Sequence, residues 1–285
     1  MTTPEPLIRN ISDTACWVAY FRATESERPD AVFKDPYARR LAGDRGEKIG
    51  TSIKFMRQAG WSMVARTWII DRLVTQHVAR GYDCVVNLAA GLDTRPYRLA
   101  LPSNLRWIEV DLPELLEYKE GVMKGEKPVC RLEHLALDLS DRAKRQRFFA
   151  DVGRASQRVL VITEGLLIYL APEDIGSLAT DIAAAPAFDR WVTDLTSPAL
   201  LKMMLRRMGS PLEQAGTPFR FAPEEGPAFF SRYGWKPLEV HSLFHAGSRL
   251  HRLPWLLSLM ARLFKSEAFQ AKRPWGGILL LGKDV

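Results

Sequence analysis

Short apolar, partly β-branched runs alternate with helix-like segments through the middle of this sequence, and this alternation constrains the fold more than any other feature. It is typical of βαβ units, in which a helix follows each strand and the strands lie parallel. Pro113 and Pro172 stand at first-turn positions, and Ser140-Asp141 can cap a helix. The strand-like runs are Cys84 to Leu88, Leu105 to Val110, Arg131 to Leu137, Val159 to Thr163 and Trp191 to Leu195. We therefore expect a mostly parallel sheet with helices on both faces.

The rhythm changes after the fifth strand. Ser197 to Met208 has a helical pattern, and a stretch rich in glycine and proline follows from Gly209 to Pro227. Two further strand-like runs, Lys236 to Phe244 and Gly277 to Leu281, flank an apolar and basic helix-like segment at Leu250 to Lys265. A late pair of this kind predicts a seven-stranded sheet that is completed by an antiparallel return.

Residues 1–80 precede the first strand and look helical, with apolar residues near helical spacing between Trp61 and Arg80. These helices cannot bury their apolar faces alone, so we expect an additional helical layer, or lid, over the open end of the sheet. The chain is expected to form one domain, 1–285. Its parts are the helical lid (1–80), the ligand-binding core (81–195), an insertion (196–235) and the final strands (236–285).

Composition excludes several classes of protein. With 47% hydrophobic and 26% charged residues, the composition is that of a globular protein rather than of a disordered one. No apolar run approaches the ~20 residues that a bilayer crossing needs. The first residues lack a basic segment followed by an apolar core, so we expect a cytoplasmic protein. Cys16, Cys84 and Cys130 have no CxxC spacing, which favours buried thiols and predicts no metal site.

The formal net charge of +7 raises the question of an anionic partner. The basic segments Asp141 to Arg147 and Lys202 to Arg207 carry no interleaved aromatic residues that could stack on bases, so solvated helix faces are favoured and no nucleic acid is expected. The segment at Leu250 to Lys265 could rest on an anionic membrane, although such a stripe more often packs on the sheet.

The residues that follow the strands point to a ligand site. Ligands of open parallel sheets lie outside the carboxyl ends of the strands. Gly91 falls in the turn after the first strand, and Asp111, Asp138 and Glu164 follow the next three. Gly91 lets the backbone approach a ligand, and Asp111, twenty residues on, can accept hydrogen bonds from ribose hydroxyls. A tight turn, a helix start and an N-cap are the structural alternatives, but the joint placement favours a nucleoside site.

The residues of this turn favour one class of nucleoside ligand over another. Ala89 and Asp93 to Arg95 stand where a G-x-G-x-x-G turn would have further glycines for a pyrophosphate, and Asp138 and Glu164 would repel its charge. S-adenosylmethionine has two cationic groups and no phosphate, so it suits these carboxylates better. A nicotinamide-dependent oxidoreductase is the alternative enzyme class.

Four segments resemble the leucine carboxyl methyltransferase family, in particular its bacterial branch of S-adenosylmethionine-dependent methyltransferases. They are Val85 to Leu99 (VVNLAAGLDTRPYRL), Ile108 to Pro113 (IEVDLP), Leu137 to Asp141 (LDLSD) and Ile162 to Leu170 (ITEGLLIYL). Phe33 to Tyr37, Ala65 to Thr67 and Arg232 to Trp235 also look like family segments, so the resemblance covers most of the chain. It implies an α/β, Rossmann-like class I methyltransferase fold.

The resemblance also implies individual roles. Arg66 would pair with the methionine carboxylate, and Glu164 would lie nearest the methionine ammonium group. Asp111 would hold the ribose, while Asp138 and Leu139 would face the adenine. The residues expected to bind the cofactor are Arg66, Asn87, Ala89, Gly91, Asp111, Asp138, Leu139 and Glu164.

On the acceptor side, the resemblance implies that Arg22 and Tyr169 border the substrate. Gly91 would pass its backbone beside the methionine part of the cofactor. The eukaryotic members also place an N-terminal lysine near the cofactor, whereas Cys16 and Trp17 occupy the comparable neighbourhood here.

The implied reaction is O-methylation of a small-molecule acceptor, with a carboxylate favoured. A carboxylate is already ionised at pH 7, so no general base is required and no catalytic residue is assigned. Methionines and phenylalanines of the insertion would suit a fatty, polyketide or aromatic acceptor, although in helices they are more often core. They are Met203, Met204, Met208, Phe219, Phe221, Phe229 and Phe230. A non-catalytic partner-binding module is the third hypothesis, and the oligomeric state stays open.

Overall fold

The computed structural model describes residues 11–52, 54–214, 218–263 and 268–283. Within them the strands are β1 (Cys84–Leu88), β2 (Arg106–Asp111), β3 (Arg131–Ala136), β4 (Val159–Thr163), β5 (Phe188–Thr196), β6 (Trp235–Ser242) and β7 (Gly276–Lys283). They form one seven-stranded sheet in the order β3-β2-β1-β4-β5-β7-β6. Neighbours among β1 to β5 pair in parallel, and β7 runs antiparallel to both β5 and β6. The expected parallel sheet with an antiparallel return is confirmed.

Ten α-helices surround this sheet in the described part of the chain. They are α1 (Ile11–Ser26), α2 (Ala38–Ser52), α3 (Lys54–Ala79), α4 (Arg95–Arg98), α5 (Pro113–Val122), α6 (Arg142–Ala155), α7 (Pro172–Ala184), α8 (Pro198–Gln214), α9 (Leu243–Arg249) and α10 (Trp255–Leu263). The start signals hold: α5 and α7 begin at a proline, and the Asp141 side chain accepts a hydrogen bond from Lys144 N at 3.1 Å as the cap of α6.

Two apolar cores lie on opposite faces of the sheet. Val86 of β1 belongs to one core, which also contains residues of α6 and α7. Its neighbour Val85 belongs to the other, together with Ile69 and Leu73 of α3 and Ala246 of α9. Because side chains alternate along a strand, one buried run can serve both cores, and helices are required on both faces.

The expected helical layer is formed by α1, α2 and α3, and residues 1–10 of the segment predicted for it lie outside the described residues. Helix α3 extends from Lys54 to Ala79, and its apolar side chains pack on the second core. Helix α2 is kinked at Gly43, whose φ of 53° lies in the left-handed region. Helices α1 and α3 contribute to the wall of the cavity described below, which places the layer over the carboxyl ends of the strands.

Three sequence expectations in the C-terminal third were wrong. Helix α8 was expected to end at Met208 but continues to Gln214, into the stretch rich in glycine and proline, and residues 215–217 lie outside the description. Strand β6 ends at Ser242, whose hydroxyl accepts a hydrogen bond from His245 N and caps α9. The segment expected to be one helix from Leu250 instead has a break before α10, since Pro254 disfavours a helical conformation at the preceding residue.

Helix α10 also differs from the expected packing on the sheet. Its outward face exposes Trp255, Leu256, Leu259 and Met260, with Trp255 75% exposed. Its C-terminal continuation through Lys265 lies outside the described residues. The apolar stripe is therefore on the surface in this structure.

Further observations concern the cysteines, metal binding and membrane crossing. All three cysteines are buried with free thiols, as expected. In the described ranges, no group of three or more His, Cys, Asp or Glu residues could hold a metal ion. Nor does any helix there combine the length and apolarity needed to cross a membrane.

Candidate functional site

The carboxyl ends of β1, β2, β4 and β5 open onto a cavity of about 1420 Å³. Its wall includes the eight residues expected to bind the cofactor and the two expected to border the acceptor. These are Arg22, Arg66, Asn87, Ala89, Gly91, Asp111, Asp138, Leu139, Glu164 and Tyr169. Residues distant in the sequence are thus brought together as the strand-end argument requires.

The turn after β1 holds Asp111 in place through backbone donors. Gly91 N donates to Asp111 Oδ2 at 2.6 Å, and Leu112 N donates to Asp111 Oδ1 at 2.8 Å. Ala89 has a φ of 52° and Gly91 a φ of 56°, so a residue in the left-handed region stands on each side of Ala90 in this turn. Burial raises the pKa of Asp111 from its usual value, against the lowering effect of the two backbone donors. The carboxylate is oriented but has no cationic side chain bonded to it among the described contacts.

Arg95 organises the rest of the turn. Its Nε lies 2.7 Å from Asp71 Oδ1 on α3, and its Nη1 lies 2.8 Å from both Asp93 Oδ2 and Glu164 Oε2. Asn87 Nδ2 donates to Asp93 Oδ2 at 2.8 Å. Burial alone would raise the pKa of Asp93, but the charges of Arg95, Lys119 and Arg98 together with the backbone N–H of Arg95 outweigh it and lower the pKa to about 2. This buried network joins β1, β4 and the helical layer.

Glu164 receives a second guanidinium. Arg66 Nε lies 2.9 Å from Glu164 Oε1 in an ion pair that is not aligned as a hydrogen bond. Although burial would raise the pKa of Glu164, Arg95 and Arg66 together lower it. Two residues that the resemblance assigned to opposite ends of an amino-acid moiety, a carboxylate and an ammonium group, are therefore neighbours.

Sequence reasoning missed Asp194, a further carboxylate in the cavity wall. Its Oδ1 accepts a hydrogen bond from Gly165 N at 2.7 Å, next to Glu164, and burial raises its pKa. The signal was available, because an acidic residue near the end of a fifth parallel strand obeys the rule used for the other strands. The prediction ended that strand at Leu195, which placed Asp194 inside it.

Arg22 is engaged within the protein. Its Nε lies 2.8 Å from Asp35 Oδ2, and its Nη2 donates to the Leu92 carbonyl at 2.5 Å. Thr94 Oγ1 donates to the same Asp35 oxygen at 2.7 Å. Arg22 therefore lines the cavity while it ties α1 to the turn after β1.

Tyr169 and the strand-three residues complete the wall. Tyr169 ends a short 3₁₀ turn and packs on Phe219 with ring centroids 5.3 Å apart; burial raises its pKa. Asp138 is exposed and accepts a hydrogen bond from Ser140 N at 2.8 Å, so it is not the cap of α6. Leu139 is half-buried beside it.

Cys16 and Trp17, which the sequence places in the neighbourhood of the family's N-terminal lysine, belong to α1. Trp17 of α1 lines the cavity, and its neighbour Cys16 is buried. Among the described residues that form the cavity wall there is no lysine.

Comparison with known proteins agrees with this geometry. A family model described as leucine carboxyl methyltransferase matches residues 15–183. A Streptomyces coelicolor protein provisionally named an S-adenosyl-L-methionine-dependent methyltransferase is 38% identical over 170 residues, 56% of this chain and 60% of that protein. A Parafrankia protein with the same provisional name is 30% identical over 249 residues, 81% of this chain and 79% of that protein.

A solved structure shares the fold. The crystal structure of a Thermobifida fusca protein provisionally named a methyltransferase superposes with a TM-score of 0.60 over all of both chains, at 14% identity. At that identity the similarity shows a Rossmann-like α/β fold and no more. The match to the family model extends over more than half of the sequence, including all four strand-end turns that carry the resemblance. The chain belongs to the leucine carboxyl methyltransferase family.

Proposed function

We propose that the protein is an S-adenosylmethionine-dependent O-methyltransferase that acts on a small-molecule acceptor at a carboxylate. The observation that carries this proposal is the cavity at the strand ends, where a turn-bound Asp111 and the Arg66–Glu164 pair lie in one wall. Family membership supports the cofactor. The chain spans about 60% of the Streptomyces relative, so the activity is proposed for this chain rather than transferred whole.

The hydrogen-bonding groups in the cavity wall suit a cationic nucleoside. Asp111 is held by two backbone donors and keeps lone pairs for the two ribose hydroxyls, and Asp138 and Leu139 lie at the next strand end for the adenine. Asn87 Oδ1 is buried and has no hydrogen-bond partner among the described residues, so it can accept a bond from a ligand. A pyrophosphate would face Asp138 and Glu164, which disfavours the nicotinamide alternative.

The Arg66–Glu164 pair would receive the amino-acid end of the cofactor. Arg66 Nε lies 2.9 Å from Glu164 Oε1, and its guanidinium would also pair with the methionine carboxylate. Glu164 keeps a low pKa and hence a negative charge that attracts the ammonium group. Gly91 and Ala89 shape the turn that the methionine part would follow.

The bound cofactor supplies an electrophilic methyl group on a sulfonium. With the cofactor held by Asp111, Arg66 and Glu164, its methyl group would be available to an acceptor oxygen and its sulfur would leave as a neutral thioether. The protein's contribution is to align the acceptor oxygen with the carbon–sulfur bond and to exclude water, which the buried walls of the cavity permit. An ionised carboxylate has no proton to lose, so this mechanism assigns no general base.

The chemistry of the product tests the acceptor group. The protein is incubated with S-adenosylmethionine carrying a tritiated methyl group and a panel of carboxylic acids and phenols, and the isolated product is treated with alkali. A methyl ester releases volatile tritiated methanol, whereas a methyl ether retains its label. Alkali-stable product alone would refute the carboxylate, and failure of S-adenosylhomocysteine to bind would refute the whole proposal.

The proposal keeps the sequence-based division of the chain. Residues 1–80 would cover the cofactor, 81–195 would bind it, 196–235 would form the acceptor side, and 236–285 would complete the sheet.

A further inference from the structure

We propose that the acceptor is a carboxylic acid with a large apolar body, such as a long alkyl chain or fused rings. This inference rests on the proposed function and names its substrate class. The cavity volume of about 1420 Å³ exceeds the roughly 1,000 Å³ at the upper end of single small-ligand sites, so it has room for a cofactor and a second sizeable molecule.

The part of the cavity beyond the strand ends has apolar walls. Met204 of α8 and Phe219 form one side, and Phe219 also packs against Tyr169. Trp61 of α3 and Phe244 of α9 form another side and contact each other edge to face, with ring centroids 6.3 Å apart. Flexible methionine and rigid aromatic walls bind apolar bodies of varied shape.

The structure separates lining residues from core residues in the insertion. Met203, Met204 and Phe219 line the cavity. The remaining phenylalanines belong to the core on the sheet, and the side chain of Met208 lies outside the description; the core residues are Phe221, Phe229 and Phe230. The Met and Phe content of this segment is thus divided between packing and the cavity wall.

The apolar wall reaches the surface at α10. Leu257 and Met260 of this helix line the cavity, and Met260 is also 46% exposed. Arg66, Glu164 and Asp194 line the strand-end side, and Arg207, His245 and Arg273 add polar groups on the side of the later helices. Because the cofactor would occupy the strand-end side, the acceptor carboxylate would meet it there and the apolar body would extend toward α10.

Helix α10 offers a matched pair of test variants. Leu257 lines the cavity, whereas Leu259 is 52% exposed and is not part of the cavity wall. Leu257→Glu puts a charge into the apolar wall, and Leu259→Glu puts the same charge on the outside of the same helix. Because burying an unpaired charge is unfavourable, only the first change should hinder an apolar acid.

The experiment is isothermal titration of the protein saturated with S-adenosylhomocysteine, using decanoate below its micelle concentration and propionate as the short control. We expect decanoate to bind at least 100-fold more tightly than propionate, because its additional methylenes are buried. Leu257→Glu should weaken decanoate binding at least 10-fold, and Leu259→Glu should leave it within 2-fold. Both variants should bind S-adenosylhomocysteine like the wild type.

Decanoate binding no tighter than propionate, or equal losses in the two variants, overturns this inference while the proposed function stands. If the wild type does not bind S-adenosylhomocysteine, both are overturned. The saturation step therefore separates failure of the cofactor assignment from failure of the acceptor assignment.

Discussion

Asp111→Asn tests whether the turn-bound carboxylate recognises ribose. The wild-type carboxylate accepts hydrogen bonds from Gly91 N and Leu112 N and would accept two more from ribose hydroxyls. Asparagine keeps one acceptor oxygen and loses the charge. A hydrogen bond to a charged group contributes about 1.5–3 kcal/mol, so we expect the dissociation constant for S-adenosylhomocysteine to rise about 10- to 150-fold.

The assay is isothermal titration with two ligands. Adenosine has both ribose hydroxyls, and 2′,3′-dideoxyadenosine has neither, so the two proteins and two ligands form a double-mutant cycle. The variant should lose affinity for adenosine but bind the dideoxy ligand like the wild type. Asp151→Asn, an exposed position on α6, serves as the control. Equal losses for both ligands would refute direct recognition, because the substitution would then act by deforming the turn.

Three further predictions concern the charge network. Arg95→Met leaves Asp93 with an unpaired buried charge, whereas Asp71 keeps its ion pair with Arg98. The change should lower the free energy of unfolding by about 3–5 kcal/mol in urea titrations. Arg39→Met at an exposed ion pair should cost under ~1 kcal/mol, and similar values for the two variants would contradict this account. Since the folded-state pKa of Asp93 is about 2, below its usual 3.8, its stabilisation is present above pH 3.8 and lost as pH falls toward 2. Between pH 5 and 2 the free energy of unfolding should thus fall by about 2 kcal/mol more in the wild type than in Asp93→Asn. Urea titrations of both proteins across that range measure this, and equal falls would mean that the pairing with Arg95 is weak. Burial raises the pKa of Asp194, so the wild type loses stability as pH rises through that pKa. Asp194→Asn should therefore be more stable than the wild type at pH 7, and this difference should be smaller at pH 4. A stability difference independent of pH would contradict this prediction.

The strands were predictable where burial is complete. The bounds of β1 and β4 agree with the sequence prediction, since both are fully buried runs between clear turn signals. Helix α9 was missed because Leu243 and Phe244 continue the apolar pattern of β6, and only the hydroxyl of Ser242 marks the change. Local pattern cannot show which of two conformations a short apolar run will adopt.

The sequence predicted that the candidate residues would lie close together, but not how they are bonded to one another. The sequence placed Asp111 and Glu164 at strand ends, and the fold brings both into one wall. It could not show that Arg95 would pair with Asp71 and Glu164, which lie 24 and 69 residues away. Such partners depend on how α3 packs over the sheet, and no local pattern specifies that packing.

The contacts between the N-terminal helices and the site have a thermodynamic consequence. Arg66 and Asp71 of α3 bind Glu164 and Arg95, so Arg66 and Glu164, which would contact a ligand, also help to fasten this helix to the sheet. By reciprocal linkage, any ligand that prefers the fastened arrangement must slow local opening of the layer. Slower amide hydrogen exchange in α3 would then show that the site is occupied, without any label on the ligand.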